Sequence, residues 1–544
     1  MCKSLKLYFI LYCFFIGVFC KDLFSQNTYQ KPNIIYIMSD DHTAQAIGIY
    51  GSRLSRLNPT PTIDRIAKEG ILFENAFCTN AICTPSRASI ITGQYSQTND
   101  VLDLSGVLPV VRQYLPIEMK KLGYQTAIFG KWHLKQKPAA FDYYNVLPGQ
   151  GKYHNPLLYS NYMGQEQVIK LHRTKVISSR VTSYPGKHSS DVITDLSIDW
   201  LKNYRDTNKP FFLMHHFKAP HDMFEFAERY RNYLKDVEIP EPASLYHNAN
   251  NGSVATKGKN DSLKRVIGSS VSSRNIVRNM GMHMEVDKNI PEPAYRHLAY
   301  QEYLKRYLRC VKGVDDNVKR LFACLEKENL MHNTIIIYTG DQGFMLGEHD
   351  YIDKRWMYEE SMRMPLLIRY PKMIQAGTKT KAIVNNTDFA PTIIDLAGGK
   401  VPDYMQGNSF KYILKHGKEP LGWQQSTYYR YWMHMAHRHA NPAHFGIRTK
   451  NYKLIFFYGT HYKITKPKKL KQSQGTIWTD TPVSWEFYDL KNDPQEMNNQ
   501  YNNSDYQSII KNLKKQLLYK RDELQENDDQ FPHIQKIIDA HWND

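Results

Sequence analysis

Asn33-Ile34-Ile35-Tyr36-Ile37-Met38 runs without a break into Ser39-Asp40-Asp41, and three other stretches repeat that form. Thr126-Ala127-Ile128-Phe129 leads to Gly130-Lys131-Trp132-His133, and Phe211-Phe212-Leu213-Met214 leads to His215-His216 and on to Lys218-Ala219-Pro220-His221. Thr334-Ile335-Ile336-Ile337-Tyr338 leads to Thr339-Gly340-Asp341-Gln342. Continuous rather than alternating hydrophobicity predicts strands covered on both faces, as in a parallel sheet. Between them Leu304, Leu308, Val311, Val314, Val318, Leu321 and Leu325 recur at three- and four-residue steps, the apolar stripe of a helix. Strands alternating with such helices define an α/β domain, and open sheets of that class carry their sites beyond the carboxyl ends of the strands. All four polar clusters fall there.

The rest of the chain sets the context. It has 544 residues, 42% hydrophobic, 13% aromatic and 23% charged, which excludes a disordered polymer, a fibre and a polytopic membrane protein. A formal charge of +18 favours polyanionic partners. No nucleic-acid-binding motif accompanies that charge, so nucleic acid is not an expected partner. Lys3 and Lys6 before the apolar run Leu7 to Phe19 predict a secretory signal peptide over residues 1–25, hence an exported protein, periplasmic or secreted, with no membrane span once it is cleaved. Only Cys78, Cys83, Cys310 and Cys324 follow the leader, too few for a disulfide framework in a chain this long. The texture changes near residue 420. Tyr452-Lys453-Leu454-Ile455-Phe456 and Trp485-Glu486-Phe487-Tyr488 suggest antiparallel strands and Ile509 to Leu524 a basic amphipathic helix, so a catalytic domain over 26–420 and a smaller α+β part over 421–544 are expected. Residues 224–278, with His247 and Lys257, suggest a long excursion that shapes substrate entry.

Cys83-Thr84-Pro85-Ser86-Arg87, followed by Ala88-Ser89-Ile90-Ile91-Thr92-Gly93, resembles the signature of the type I sulfatases. The resemblance runs from about Lys31 to the C-terminal region and takes in the other clusters in the family's order. It implies the alkaline-phosphatase-like fold, a large, mostly parallel mixed sheet flanked by helices, with a C-terminal domain carrying an antiparallel sheet. It also implies that a maturation enzyme oxidises Cys83 to formylglycine (3-oxoalanine), using Pro85 and Arg87 for recognition. Asp40, Asp41, Asp341 and Gln342 match the family's calcium ligands, with position 83 completing the shell; all offer hard oxygen donors. Where Gln342 stands the family often has Asn or His. Arg87, Lys131, His133, His221 and Lys354 match its cationic and acid–base groups: Lys131 and Lys354 grip sulfate, His133 orients or deprotonates the nucleophile, and His221 protonates the leaving oxygen. His42, His216, Glu348 and His349 are expected around them.

The chemistry is coherent on its own terms. A sulfate ester needs an activated nucleophile, cations for the sulfuryl oxygens, and an acid for the leaving alcohol. Hydrated formylglycine would supply one hydroxyl to attack sulfur and a second to expel sulfate. Export, charge and the aromatic stretch Tyr428 to His437 point to a sulfated carbohydrate, a polysaccharide such as algal ulvan, with Arg430, His434 and His437 binding it; ordinary interdomain packing explains that stretch as well. A phosphonate or phosphate monoester hydrolase of the same architecture, and an unmatured glycan-binding protein without turnover, remain open alternatives.

Overall fold

The computed structural model describes residues 31–171, 175–246, 251–257, 271, 286–439, 441–464 and 478–544. The expected signal peptide over 1–25, His247 and most of 258–285 lie outside the described residues. Among the described residues, no helix is long and apolar enough to cross a membrane.

Each of the four apolar stretches forms a strand. Thr334–Gly340, Asn33–Asp40, Phe211–Pro220, Gln125–Lys131 and Tyr143–Leu147 lie side by side in that order, every pair parallel. Along Asn33–Asp40 successive side chains point to opposite faces. Ile34, Tyr36 and Met38 enter one core cluster, Ile35 and Ile37 the other, and all five are at most 1% exposed. Burial on both faces is what an unbroken hydrophobic run demands.

Antiparallel strands extend this centre at both sides, making a mixed sheet of twelve strands among the described residues: Leu366–Arg369 joins Thr334–Gly340 to Ile71–Phe77, and Leu157–Ser160 continues from Tyr143–Leu147. The predicted helical stripe belongs to Ala294–Lys327, 34 residues long, which packs with Ser189–Asp199 over the face carrying Ile35 and Ile37. Cys83–Thr92, Tyr114–Lys121 and Phe389–Leu396 cover the other face through Ile90, Ile91, Leu115, Met119, Ile393 and Ile394. Burying each such side chain contributes about 1.5–3 kcal/mol, so helix and sheet hold one another.

A second sheet follows. Ser426–Tyr431, His444–Thr449, Tyr452–Phe457 and Ser484–Asp489 pair consecutively and antiparallel. One face, with Tyr429, Tyr431, Ile455, Phe457 and Tyr488, shares the core of the large sheet. The other, with Phe445, Leu454, Phe456 and Phe487, is closed by the helices Gln507–Glu523 and Pro532–His541 through Ile510, Leu513, Leu517, Ile534 and Ile538. Cys78, Cys83, Cys310 and Cys324 are all free and buried.

Candidate active site

Cys83 opens the helix Cys83–Thr92, and Arg87 stands one turn later on the same face. All ten residues of that helix are buried, and it ends at Gly93, left-handed at φ 67°, whose N–H bonds Ser89 O at 2.9 Å. Its first turn faces the ends of the parallel strands. Cys83 Sγ donates to Asp40 Oδ1 at 3.3 Å; Arg87 Nε donates to Asp341 Oδ2 at 3.0 Å and Arg87 Nη1 to the carbonyl of Lys131 at 2.7 Å. Ser86, within the quoted signature, donates to the Asp341 carbonyl and accepts from Asn386 Nδ2 at 2.9 Å, which ties the helix to the strand end.

The strands deliver the rest. Asp40, Lys131 and Gly340 are the last residues of their strands, and Asp41, Asp341 and Gln342 follow at once. Gly130, just before Lys131, has φ 101°, and a side chain there would collide with the His216 carbonyl oxygen. Glycine is therefore what lets this strand end turn Lys131 inward. Asp41 and His133 themselves occupy the left-handed region at φ 63° and 60°, a strain that neighbouring structure must hold.

Asp40, Asp41 and Asp341 aim carboxylate oxygens to within 4.8 Å of one another, each side chain 0% exposed. Three cations answer them. Lys131 Nζ donates to Asp40, Lys354 Nζ to both oxygens of Asp41 at 2.6 and 2.5 Å, and Arg87 Nη2 lies 2.9 Å from Asp341. Gln342 Nε2 donates to Asp41, while its Oε1 is buried with no hydrogen-bond partner among the described residues. Burial would raise Asp40, but Lys131, His221 and Arg87 hold it well below the usual carboxylate range. Burial and the charge of Asp40 push Asp341 up to about 7, against Arg87. Three converging carboxylates and an orphaned amide oxygen fit a hard divalent cation. Cys83 is pushed far above the ordinary thiol range by burial and by Asp40, so it is no thiolate nucleophile as it stands.

The histidines flank this centre. His221 Nε2 lies 3.7 Å from Asp41 Oδ2. His133 Nδ1 is 3.4 Å from Thr84 Oγ1, beside Cys83; burial first, then Lys131, keep the ring well below the ordinary imidazole range and therefore neutral. His216 Nδ1 bonds the Lys131 carbonyl at 3.1 Å. Gln150, which no motif flagged, accepts from Lys131 Nζ at 2.5 Å. His42 bonds Tyr338 Oη at 2.6 Å behind the strand ends, and Glu348 pairs with Arg53 at 2.5 Å, neither of them bonded to the carboxylate trio. His349 packs against the Tyr358 ring.

The expected glycan-binding group is corrected. Arg430 is 1% exposed; its guanidinium bonds Asp528 at 2.6 Å and lies 3.5 Å from the Trp432 ring centre. His434 is fully buried, bonded to the Thr479 carbonyl at 3.0 Å and to the Ala443 N–H at 3.2 Å. Arg430 stands on the strand Ser426–Tyr431, covered on both faces, and His434 in the segment just after it, so both are packed inside the fold. His437 alone of the three is half-buried, near Arg355, His439 and Asp353, the neighbours of Lys354.

Comparison with known proteins agrees with this geometry. The model of the family described as Sulfatase matches residues 32–399, more than half of the chain. A second, described as N-sulphoglucosamine sulphohydrolase, C-terminal, matches 347–472 and 469–523. The chain is 37% identical over 533 residues to an N-acetylglucosamine-6-O-sulfatase of Bacteroides thetaiotaomicron, covering 92% of this chain and 88% of that one. It is 27% identical over 414 residues to an ulvan-active sulfatase of Formosa agariphila, covering 73% and 68%. A solved structure in complex with its substrate D-glucosamine-2-N,6-O-disulfate superposes with a TM-score of 0.76 at 35% identity, covering 92% of this chain and 99% of the other. The chain belongs to the sulfatase family and is a sulfuric ester hydrolase.

Proposed function

We propose that this protein, once exported, removes sulfate from the 6-position of glucosamine units in a glycosaminoglycan-like saccharide. Cys83 is converted to formylglycine by a maturation enzyme, and Asp40, Asp41, Asp341 and Gln342 hold a calcium ion. The convergence of Cys83, three carboxylates and three cations at the strand ends carries the reading of the chemistry. The sugar rests on likeness to the N-acetylglucosamine-6-O-sulfatase at 37% identity; the ulvan-active relative, at 27%, supports an ulvan substrate less.

Hydrated formylglycine at position 83 would supply the hydroxyls for nucleophilic catalysis, and an ion held by Asp40, Asp41, Asp341 and Gln342 would supply Lewis-acid charge. The chain's own groups do the remainder. Lys131, Lys354 and Arg87 neutralise the sulfuryl oxygens, their fixed partners sparing them reorganisation during reaction. Neutral His133 accepts a proton at the nucleophile, and His221 Nε2 gives one to the leaving oxygen. With the whole helix Cys83–Thr92 buried, conversion is expected before the chain folds.

Mass spectrometry of active protein should find the peptide around position 83 about 18 Da lighter than its thiol form, as oxidation of the thiol to an aldehyde requires. Cys83→Ala should release no sulfate from N-acetylglucosamine 6-sulfate while folding normally. An intact thiol in fully active material refutes the proposal, and faster release from ulvan oligosaccharides than from the glucosamine sulfate refutes the sugar.

A further inference from the structure

His221 is fixed from three directions, and one of them comes from its neighbour in sequence. Its backbone N–H bonds the Lys218 carbonyl at 3.2 Å, and its carbonyl accepts from the hydroxyl of Tyr153, a residue only 1% exposed. Lys218 Nζ lies 4.7 Å from the centre of the Tyr153 ring and backs that contact. The ring is held separately. Nδ1 faces only acceptors of Asp222, the carbonyl oxygen at 2.6 Å and the carboxylate oxygen Oδ1 closer still. Nδ1 must then carry a proton, since two acceptors offer it nothing to accept. That leaves Nε2 as the atom turned to Asp41 and the strand ends, at 3.7 Å.

We propose that Asp222 is a positioning residue for His221: its carboxylate holds Nδ1–H so that Nε2–H points at the leaving oxygen of the substrate. The inference rests on the reading of His221 as the acid. As the bond between sulfur and the leaving oxygen breaks, its electron pair stays on that oxygen, which takes the proton from Nε2. The Nε2–H bond breaks, the new O–H bond forms, and the ring ends as neutral imidazole with its remaining proton still on Nδ1 against Asp222. A hydrogen-bonded carboxylate behind an imidazole fixes tautomer and orientation; an amide in its place can present N–H to Nδ1 and hold the wrong tautomer.

The test compares leaving groups in mature, metal-loaded protein. Asp222→Asn should lower kcat about 10- to 100-fold on N-acetylglucosamine 6-sulfate, whose alcohol leaves poorly, and about threefold or less on 4-nitrophenyl sulfate, which needs little protonation. Asp222→Glu should restore part of the loss. His221→Ala should show the same selectivity with a larger loss, about 100-fold or more on the sugar. Equal losses on both substrates in His221→Ala overturn the acid assignment itself. Selective loss in His221→Ala with equal or negligible losses in Asp222→Asn overturns the role of Asp222 alone. Bound calcium, measured by elemental analysis, should be unchanged in Asp222→Asn; a variant that has lost its metal makes Asp222 a ligand and overturns the proposal too.

Discussion

Around Asp40, Asp41 and Asp341 three carboxylates aim their oxygens at one another, whereas around Asp528 a single carboxylate is gripped by two guanidiniums. Both groups are buried to within a few per cent. Asp528 takes Arg430 on Oδ1 at 2.6 Å and Arg521 on Oδ2, with Trp432 and Phe445 stacked on the arginines. That arrangement pairs one acid with two bases, and what it leaves over is small: among the described residues Arg430 Nε and an oxygen of the neighbouring Glu526 have no hydrogen-bond partner. The site is open. Like charges are forced together, Asp341 is pushed up to about 7, and Gln342 Oε1 has no partner among the described residues. Burial of charge is therefore not by itself a sign of function. Convergence of three carboxylates, three cations and Cys83 at the ends of the parallel strands is, because folding alone gains nothing from it.

The sharpest way to break this comparison is to exchange what each group should do. Asp341→Asn keeps an oxygen for Arg87 but removes one of the converging charges. It should cut kcat/KM at least about 100-fold, by loss of electrostatic stabilisation at the reacting group, and deplete bound calcium. Stability of the chelated protein should hold or rise, since a like-charge contact has gone. Calorimetry beside a sulfate-release assay reads both. A large drop in melting temperature with activity kept would make the trio a structural device.

Arg430→Ala should do the reverse. It strands Asp528 with one partner and empties the space against Trp432, costing about 3–5 kcal/mol as expected when one member of a buried ion pair is removed. Activity at 25 °C on a monosaccharide sulfate should stay within about twofold, a surface-independent packing effect. If affinity for oligosaccharides fell without any loss of stability, Arg430 would belong to a glycan cleft after all.

Arg430 also marks the limit of what the sequence discloses. Tyr428-Tyr429-Arg430-Tyr431-Trp432 has the composition of a carbohydrate cleft, yet Ser426–Tyr431 is an edge-to-core strand whose faces are taken by the two neighbouring cores. Asp528 lies 98 residues away, and no local pattern announces the pairing. The strand ends were legible for the opposite reason. There the hydrophobic run and the reactive residues are adjacent in the chain, so the position of Asp40, Lys131 and Asp341 at one edge follows from topology alone. Asn386 and Gln150 were not legible, and Ser86 was legible only as a signature residue without its contacts: each acts through a contact closed only by the fold, and each is of a residue type common on any surface.

Glu526 offers the finest probe of the closed group. It is 1% exposed beside Asp528, and its Oε1 accepts the Gln97 N–H at 2.7 Å. Burial pushes its carboxyl from 4.5 to about 7, although Arg430 pulls it down. A carboxyl raised on folding favours the native state most below its unfolded value, and that advantage fades as the pH climbs through the folded one. Glu526 should thus cost the protein on the order of 1–3 kcal/mol at pH 8 relative to pH 4. Glu526→Gln keeps the oxygen for Gln97 and cannot ionise, so its stability relative to the parent should grow between pH 5 and pH 8. Denaturant titrations of both proteins at the two pH values give the difference directly. A gap that stays constant would mean that the two arginines already hold Glu526 ionised, and that the closed group is a pair of acids between a pair of bases.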